Sequence, residues 1–214
     1  MFRSTILACS ISLIFASAGQ CQDETKEPPI EYQLLVNGKA LNVELDTEFE
    51  LDIQGKTKLK LTASNVRNFK YGGITFPYPT SFAFEAELDA VSKLWTLDGS
   101  SCLIMVFAFP SANGLGHKSF AESIGAEYQN EPDFSPTTLT CDGQELEGTQ
   151  LNIKIEQTNL VQMVFEIPTK DGARVIVLQD TLEDDGSHTA EFNGVVKLLK
   201  QNLKISQDSI ATDY

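Results

Sequence analysis

From Tyr32 onward, apolar and polar residues alternate one by one along much of the chain, the pattern of strands with one face buried. Tyr32–Val36 and Leu41–Leu45 flank Asn37-Gly38, a pair whose tolerance of positive φ predicts a tight hairpin. Phe49, Leu51 and Ile53 then alternate with Glu48, Glu50 and Asp52, and Leu59 and Leu61 alternate with Lys58 and Lys60. Acids on one strand and lysines on a near neighbour suit cross-strand pairing on a solvent face. Further strands are predicted at Ile74–Phe76, Phe82–Leu88, Lys93–Leu97, Cys102–Phe109, Thr137–Cys141, Gln144–Ile155, Asn159–Ile167 and Ala173–Asp180. Turn signals such as Gly72-Gly73, Asp98-Gly99, Asp142-Gly143 and Asp171-Gly172 separate most of them. Leu103–Phe109 and Val175–Leu178 are apolar at every position, as expected of central strands covered on both sides.

Two segments change period and read as helices. Ser119-Phe120-Ala121-Glu122 has the form of a capping box, and Phe120, Ile124 and Tyr128 follow on one face. Phe192, Val195, Val196, Leu199 and Leu203 form an apolar stripe at helical spacing, with Ser187 or Thr189 as its cap. Asp184, Asp185 and Glu191 suit the positive end of that helix. The predicted fold class is α+β: one antiparallel sheet with two main helices packed on it, preceded by N-terminal β-hairpins.

The first residues have a different composition. Arg3, an apolar run over Thr5–Ala16 and the small-residue exit Ala16-Ser17-Ala18 have the layout of a cleavable signal peptide. That run of about 12 residues falls short of the roughly 20 that span a bilayer as a helix. The expected organisation is a signal peptide at 1–18, an acidic, proline-bearing flexible tether at 19–31, one domain at 32–205 and a C-terminal tail at 206–214. Within the domain, hairpins occupy 32–63 and the core 69–205. No later segment is long and apolar enough to cross a membrane, so a secreted or periplasmic location is expected.

The formal net charge is −14, which disfavours phosphate backbones and so argues against nucleic-acid partners. Of four cysteines, Cys9 leaves with the signal. Cys102 and Cys141 each lie at a strand end, and in an oxidising compartment they are expected to pair as a structural disulfide. Cys21 sits where a bacterial lipoprotein would be acylated, but Gln20 before it departs from the lipobox. Cleavage after Ala18 is therefore favoured over a lipid anchor at Cys21.

The aromatic strand Gly73-Ile74-Thr75-Phe76-Pro77-Tyr78-Pro79 begins a longer succession: a hydrophobic strand, a helix with a Ser-x-x-Glu start, a long hairpin and a closing amphipathic helix running into Leu203-Lys204-Ile205. This order resembles the PsbP-like group of αβα-sandwich proteins, which includes DcrB-like bacterial envelope proteins, over about Phe69–Ile205. The resemblance implies a non-enzymatic binding or assembly module with no catalytic residue and no cofactor to carry over.

Candidate chemistry is sparse. His117 and His188 are the only histidines, and neither has a neighbour at ligand spacing. There is no nucleophile elbow, paired C-x-x-C, phosphate-binding loop or dinucleotide fingerprint. The acidic stretch Asp180, Glu183, Asp184 and Asp185 offers oxygens for calcium or a partner, although it does not fit the EF-hand spacing. Tyr78, held extended between two prolines, is the aromatic residue best placed to serve a ligand or partner. The cluster Phe69, Tyr71, Phe76, Tyr78, Phe82, Phe84 and Trp95 forms either a glycan-stacking platform or core. The leading expectation is an exported interaction module that binds a protein partner of the cell envelope. The alternatives are a glycan- or calcium-binding domain and, more weakly, a carboxylate-based hydrolase.

Overall fold

The computed structural model describes residues 23–43, 48, 50, 56–112, 114–128, 132–141, 143–167, 169 and 172–206. The signal-peptide region, Cys21, the Phe49–Ile53 strand and most of the C-terminal tail fall outside them. The N-terminal hairpin forms as the sequence predicts. Strand β1 (Ile30–Val36) turns into β2 (Lys39–Val43) with Val36 opposite Lys39, through Asn37 and Gly38 at φ 50° and 85°. Lys58 returns to the same turn, its amide donating to the Asn37 side chain at 2.9 Å.

Two antiparallel sheets are present where one was expected, and the described fold is mainly β rather than a balanced αβα sandwich. The five-stranded sheet has the order β12-β4-β3-β1-β2, and the seven-stranded sheet the order β5-β6-β7-β11-β10-β9-β8. The first is completed by β3 (Leu59–Tyr71), β4 (Ile74–Pro79) and β12 (Lys204–Ile205). The second comprises β5 (Ala83–Leu88), β6 (Lys93–Asp98), β7 (Cys102–Phe109), β8 (Asp133–Cys141), β9 (Gln144–Ile155), β10 (Thr158–Ile167) and β11 (Ala173–Thr181). Strand β3 produces the second sheet. Its 13 residues pair with β1 at one end and with β4 at the other, joining the N-terminal hairpins to the core.

The seven-stranded sheet is covered on both sides, as the two-faced apolar strands β7 and β11 require. On one face Ile104, Val106, Ile176 and Leu178 meet Phe69, Phe76 and Tyr78 of the smaller sheet and Phe192, Val195 and Leu199 of helix α2 (Ala190–Asn202). On the other, Val164, Val175 and Val177 lie under Ala121, Phe120 and Ile124 of helix α1 (His117–Gly125). Helix α1 starts two residues before the predicted capping box. Ser119 lies inside its first turn, the N-cap is Gly116 with no side-chain cap, and a glutamate from β10, Glu166, holds the preceding turn by the amides of Leu115 and Gly116.

The Asp23–Pro29 segment, expected to be a flexible tether, is docked on the domain. Trp95 Nε1 donates to the Glu24 carbonyl, the Tyr71 hydroxyl donates to the Lys26 carbonyl, and Arg67 pairs with Glu27. Pro28 is buried beside them. Large aromatic side chains with one polar atom need a partner when buried, and this segment supplies it.

The expected Cys102–Cys141 bridge is not formed: Cys102 is a buried free thiol. Strand order explains this. Three strands stand between β7 and β8, and Cys102 is in register with Asp133 at the far end of β8 from Cys141, whereas a disulfide needs a Cα separation of at most ~7 Å.

Candidate functional site

The residues predicted as a ligand or partner surface are dispersed, and two of them are core. Tyr78 is fully buried under the smaller sheet, and burial pushes its phenol well above the usual tyrosine range. The other rings of that cluster are buried with it, except Phe84, which is half-buried. Phe69 stacks on Phe76 at 4.8 Å, and Tyr71 stacks on Trp95 at 5.8 Å, so these faces are used by one another rather than offered to a sugar.

Asp180 is likewise not part of a surface loop. Its side chain is fully buried at the end of β11, where it accepts bonds from Thr189 Oγ1 at 2.7 Å, His188 Nδ1 at 2.8 Å and the Thr189 amide at 3.1 Å. Thr189 in turn caps α2, accepting the Phe192 amide at 3.2 Å. Of the remaining acids, Glu183 and Asp184 are exposed, and Asp185 closes a local turn onto the Ser187 amide. The loop therefore does not converge as a calcium site, and among the described residues no group of three His, Cys, Asp or Glu side chains does so.

Around Asp180 the structure gathers a polar cluster that the sequence did not announce. Glu191, in the first turn of α2, accepts the Ser101 amide at 2.7 Å, the Cys102 amide at 3.1 Å and the Ser101 hydroxyl at 3.1 Å. Burial opposes its charge, but the bonds from Ser101, Ser100 and Cys102 outweigh that and hold the carboxyl below its usual range. Asp180 and His188 resemble a catalytic dyad, and His188 stacks on Phe192 at 4.6 Å. The neighbouring hydroxyl of Ser101 is directed to Thr189 and Glu191 instead. The Cys102 thiol is pushed up to about 12 by burial, with the charges of Glu191 and Asp180 adding to the effect, so it is no nucleophile. The cluster fastens α2 to β7 and β11.

A groove of about 420 Å³ lies beside the start of α1, lined by His117, Glu145, Glu147, Glu166 and Thr169 among others. Two of its polar side chains are engaged: His117 Nδ1 meets Thr149 Oγ1 at 2.9 Å, and Glu166 takes two backbone amides.

The exposed surface that packing leaves without a role is on the N-terminal arm. Tyr32, Leu34 and Val36 of β1 stand opposite Val43, Leu41 and Lys39 of β2, and opposite Ala63, Leu61 and Leu59 of β3. Directly paired residues share a face, so these nine positions form one surface, apolar except for Lys39. Leu41 is 42% exposed, and Leu59 and Leu61 are each 56% exposed. Along β3 the pairing with β1 shifts register between Ala63 and Arg67, and beyond that irregularity Phe69 and Tyr71 are buried in the core. The arm before the irregularity is the part of the smaller sheet that leaves its leucines open. The signal for it was present in the alternation of Leu59 and Leu61 with lysines, but alternation does not tell a covered face from an open one.

The fold and this surface define a mainly antiparallel β domain with an apolar arm. No protein-family model matches the chain, and no curated protein matches it. Among solved structures, one from Bacteroides thetaiotaomicron is similar at 14% identity and a TM-score of 0.41, over 68% of this chain and 50% of that one. The chain therefore spans half the length of that protein. Among the described residues, no helix is long and apolar enough to cross a membrane.

Proposed function

We propose that this protein is an exported, non-enzymatic interaction or assembly module of the cell envelope that engages a protein partner through the apolar face of its β1–β2–β3 arm. One observation carries the reading: Leu41, Leu59 and Leu61, 42–56% exposed, lie together on one sheet face of the arm. Contiguous apolar exposure of this kind marks interaction surfaces. The order of elements from β4 to β12, which resembles the PsbP-like group, and the signal-like first 18 residues support the same reading. The polar residues with catalytic potential are committed to holding α1 and α2.

The test is site-specific photocrosslinking in the native envelope. A photoreactive residue at Leu61 is expected to give one reproducible adduct that is absent when the same residue replaces Val91, which is 70% exposed in the β5–β6 turn. Equal adducts at both sites, or none at Leu61, would remove the proposal.

A further inference from the structure

Strand β3 outruns one of the strands beside it, and part of that edge is bare. Its 13 residues begin at Leu59, but β4 pairs only with residues 66–71. Thr80 extends that cover by one residue, its amide donating to the Asn65 carbonyl at 3.0 Å. Over residues 59–64 the strand has β1 on one side and no described strand on the other.

The bonds at the two ends of this stretch fix which groups face the bare edge. Both main-chain groups of Lys58 turn to Asn37, at the end of β1. The Lys58 carbonyl accepts the Asn37 amide and the Lys58 amide donates to the Asn37 side chain, each at 2.9 Å. Main-chain groups alternate in direction along a strand, so Lys60 and Thr62 also face β1, while Leu59, Leu61 and Ala63 turn N–H and C=O outward. Asn65 keeps the phase of these three, and its carbonyl accordingly meets Thr80 on the β4 side.

A row of unpaired donors and acceptors is a template for another strand, and folds ordinarily blunt it. Pro136 interrupts the edge strand β8, and the edge strand β12 is two residues long. The bare stretch of β3 carries no proline and no acid. Its exposed leucines lie on one face, and the exposed Lys58 and Lys60 lie on the other. Among the described residues, neither lysine has an ion pair. Such lysines oppose a like edge and select an acidic one. A second copy would gather Lys58 and Lys60 of both chains on one sheet face, between bodies of net charge −14. An extended segment of alternating apolar and acidic residues would instead continue the leucine face on one side and meet the two lysines on the other.

We propose that the arm takes its protein partner by strand addition: a partner segment of alternating apolar and acidic residues pairs antiparallel with residues 59–64 of β3, in line with β4. This rests on the arm being the partner surface and specifies what the partner presents to it.

The probe is a fluorescent peptide of alternating valine and glutamate, added to the full chain and followed by anisotropy. Valines opposite Leu59, Leu61 and Ala63 turn their amides to β3, and the glutamates turn theirs away. N-methylation of the valines is therefore expected to weaken binding at least about tenfold, and N-methylation of the glutamates to change it by less than about twofold. Lys58→Glu with Lys60→Glu is expected to weaken binding about tenfold in a chain whose thermal melt is unchanged, since both side chains are exposed. If that double reversal does not fold, Lys60→Ala gives the same comparison at lower contrast. No saturable binding, equal loss from the two methylation patterns, or binding indifferent to the lysines overturns strand addition. So does a concentration-dependent dimer that Lys60→Glu dissociates, which would assign the edge to a second copy. A Leu61 adduct beside any of these results keeps the arm as a partner surface and removes only this mode of pairing, whereas absence of the adduct removes the arm's role itself.

Discussion

The carboxylate of Glu191, at the start of α2, accepts the amide of Ser101, at the start of β7, at 2.7 Å across 90 residues of sequence. The first turn of the closing helix is thereby tied to a central strand of the larger sheet. The carboxyl is held below its usual range, so its contribution is fully present above the ordinary glutamate range. It is lost as pH falls through the depressed folded value. A thermal melt should therefore fall in midpoint between about pH 6 and pH 3, and Glu191→Gln should remove part of that slope. At neutral pH the same substitution is expected to cost about 1–2 kcal/mol through weakened bonds to Ser101 and Cys102. A pH profile identical in the two proteins would refute the assignment.

Gly99 makes room for that carboxylate. A Cβ at this position would lie 2.7 Å from the Phe82 ring and 2.8 Å from Glu191 Oε2. Gly99→Ala is expected to destabilise the domain by about 1–3 kcal/mol, measured by denaturant unfolding. Combined with Glu191→Ala it should cost less than the sum of the two single changes, because one of the clashing atoms is gone.

Thr189 serves both the helix and the buried acid. Its hydroxyl donates to Asp180 and accepts from the Phe192 amide. Thr189→Ala removes a cap and leaves a buried carboxylate short of a donor, an expected loss of about 2–3 kcal/mol. Thr189→Ser keeps both bonds and should lie within about 1 kcal/mol of wild type. Equal effects from the two substitutions would show that the hydroxyl is not what matters.

Cys102 should be chemically inert in the folded state. Burial pushes its thiol up to about 12, so almost no thiolate exists near neutral pH. Alkylation at Cys102, followed by mass spectrometry, is expected to proceed only as the protein unfolds and to accelerate in denaturant. Rapid modification under native conditions would contradict the burial.

Leu61 should matter for association and not for folding. At 56% exposure on an uncovered face, Leu61→Asp is expected to change stability by less than about 0.5 kcal/mol while abolishing adducts formed from the arm. Phe69→Ala, on the covered part of β3, is expected to cost about 3–5 kcal/mol. The contrast tests whether cover, rather than residue type, separates the two halves of that strand.

Much of the fold was legible where a single local rule operates. Cys102–Phe109 and Gln144–Ile155 form strands with the predicted bounds, because unbroken apolar runs and period-two patterns have one common solution when flanked by turn residues. The stripe from Phe192 to Leu203 packs as predicted, since helical spacing leaves one face to bury. Strand β3 was only partly legible. Asn65, Arg67 and Asn68 interrupt its alternation, and they fit a strand because Glu27, Glu31 and Thr80 supply partners from distant segments. Helix α1 begins earlier than its local signal because its N-cap is Gly116, three residues before Ser119, in a turn that Glu166, more than 40 positions away, holds by the Leu115 and Gly116 amides.

The sequence by itself determined where most strands and both helices lie, which neighbouring side chains share a face, and that the chain is strongly acidic. These properties follow from backbone geometry and composition within a few residues. Tertiary structure decided how many sheets form, that Cys102 and Cys141 stand too far apart to bridge, that Tyr78 and Asp180 are buried, and that Asp23–Pro29 is docked. It also decided that the arm's apolar face is open, since periodicity fixes which residues point together and only packing between distant segments determines what covers them.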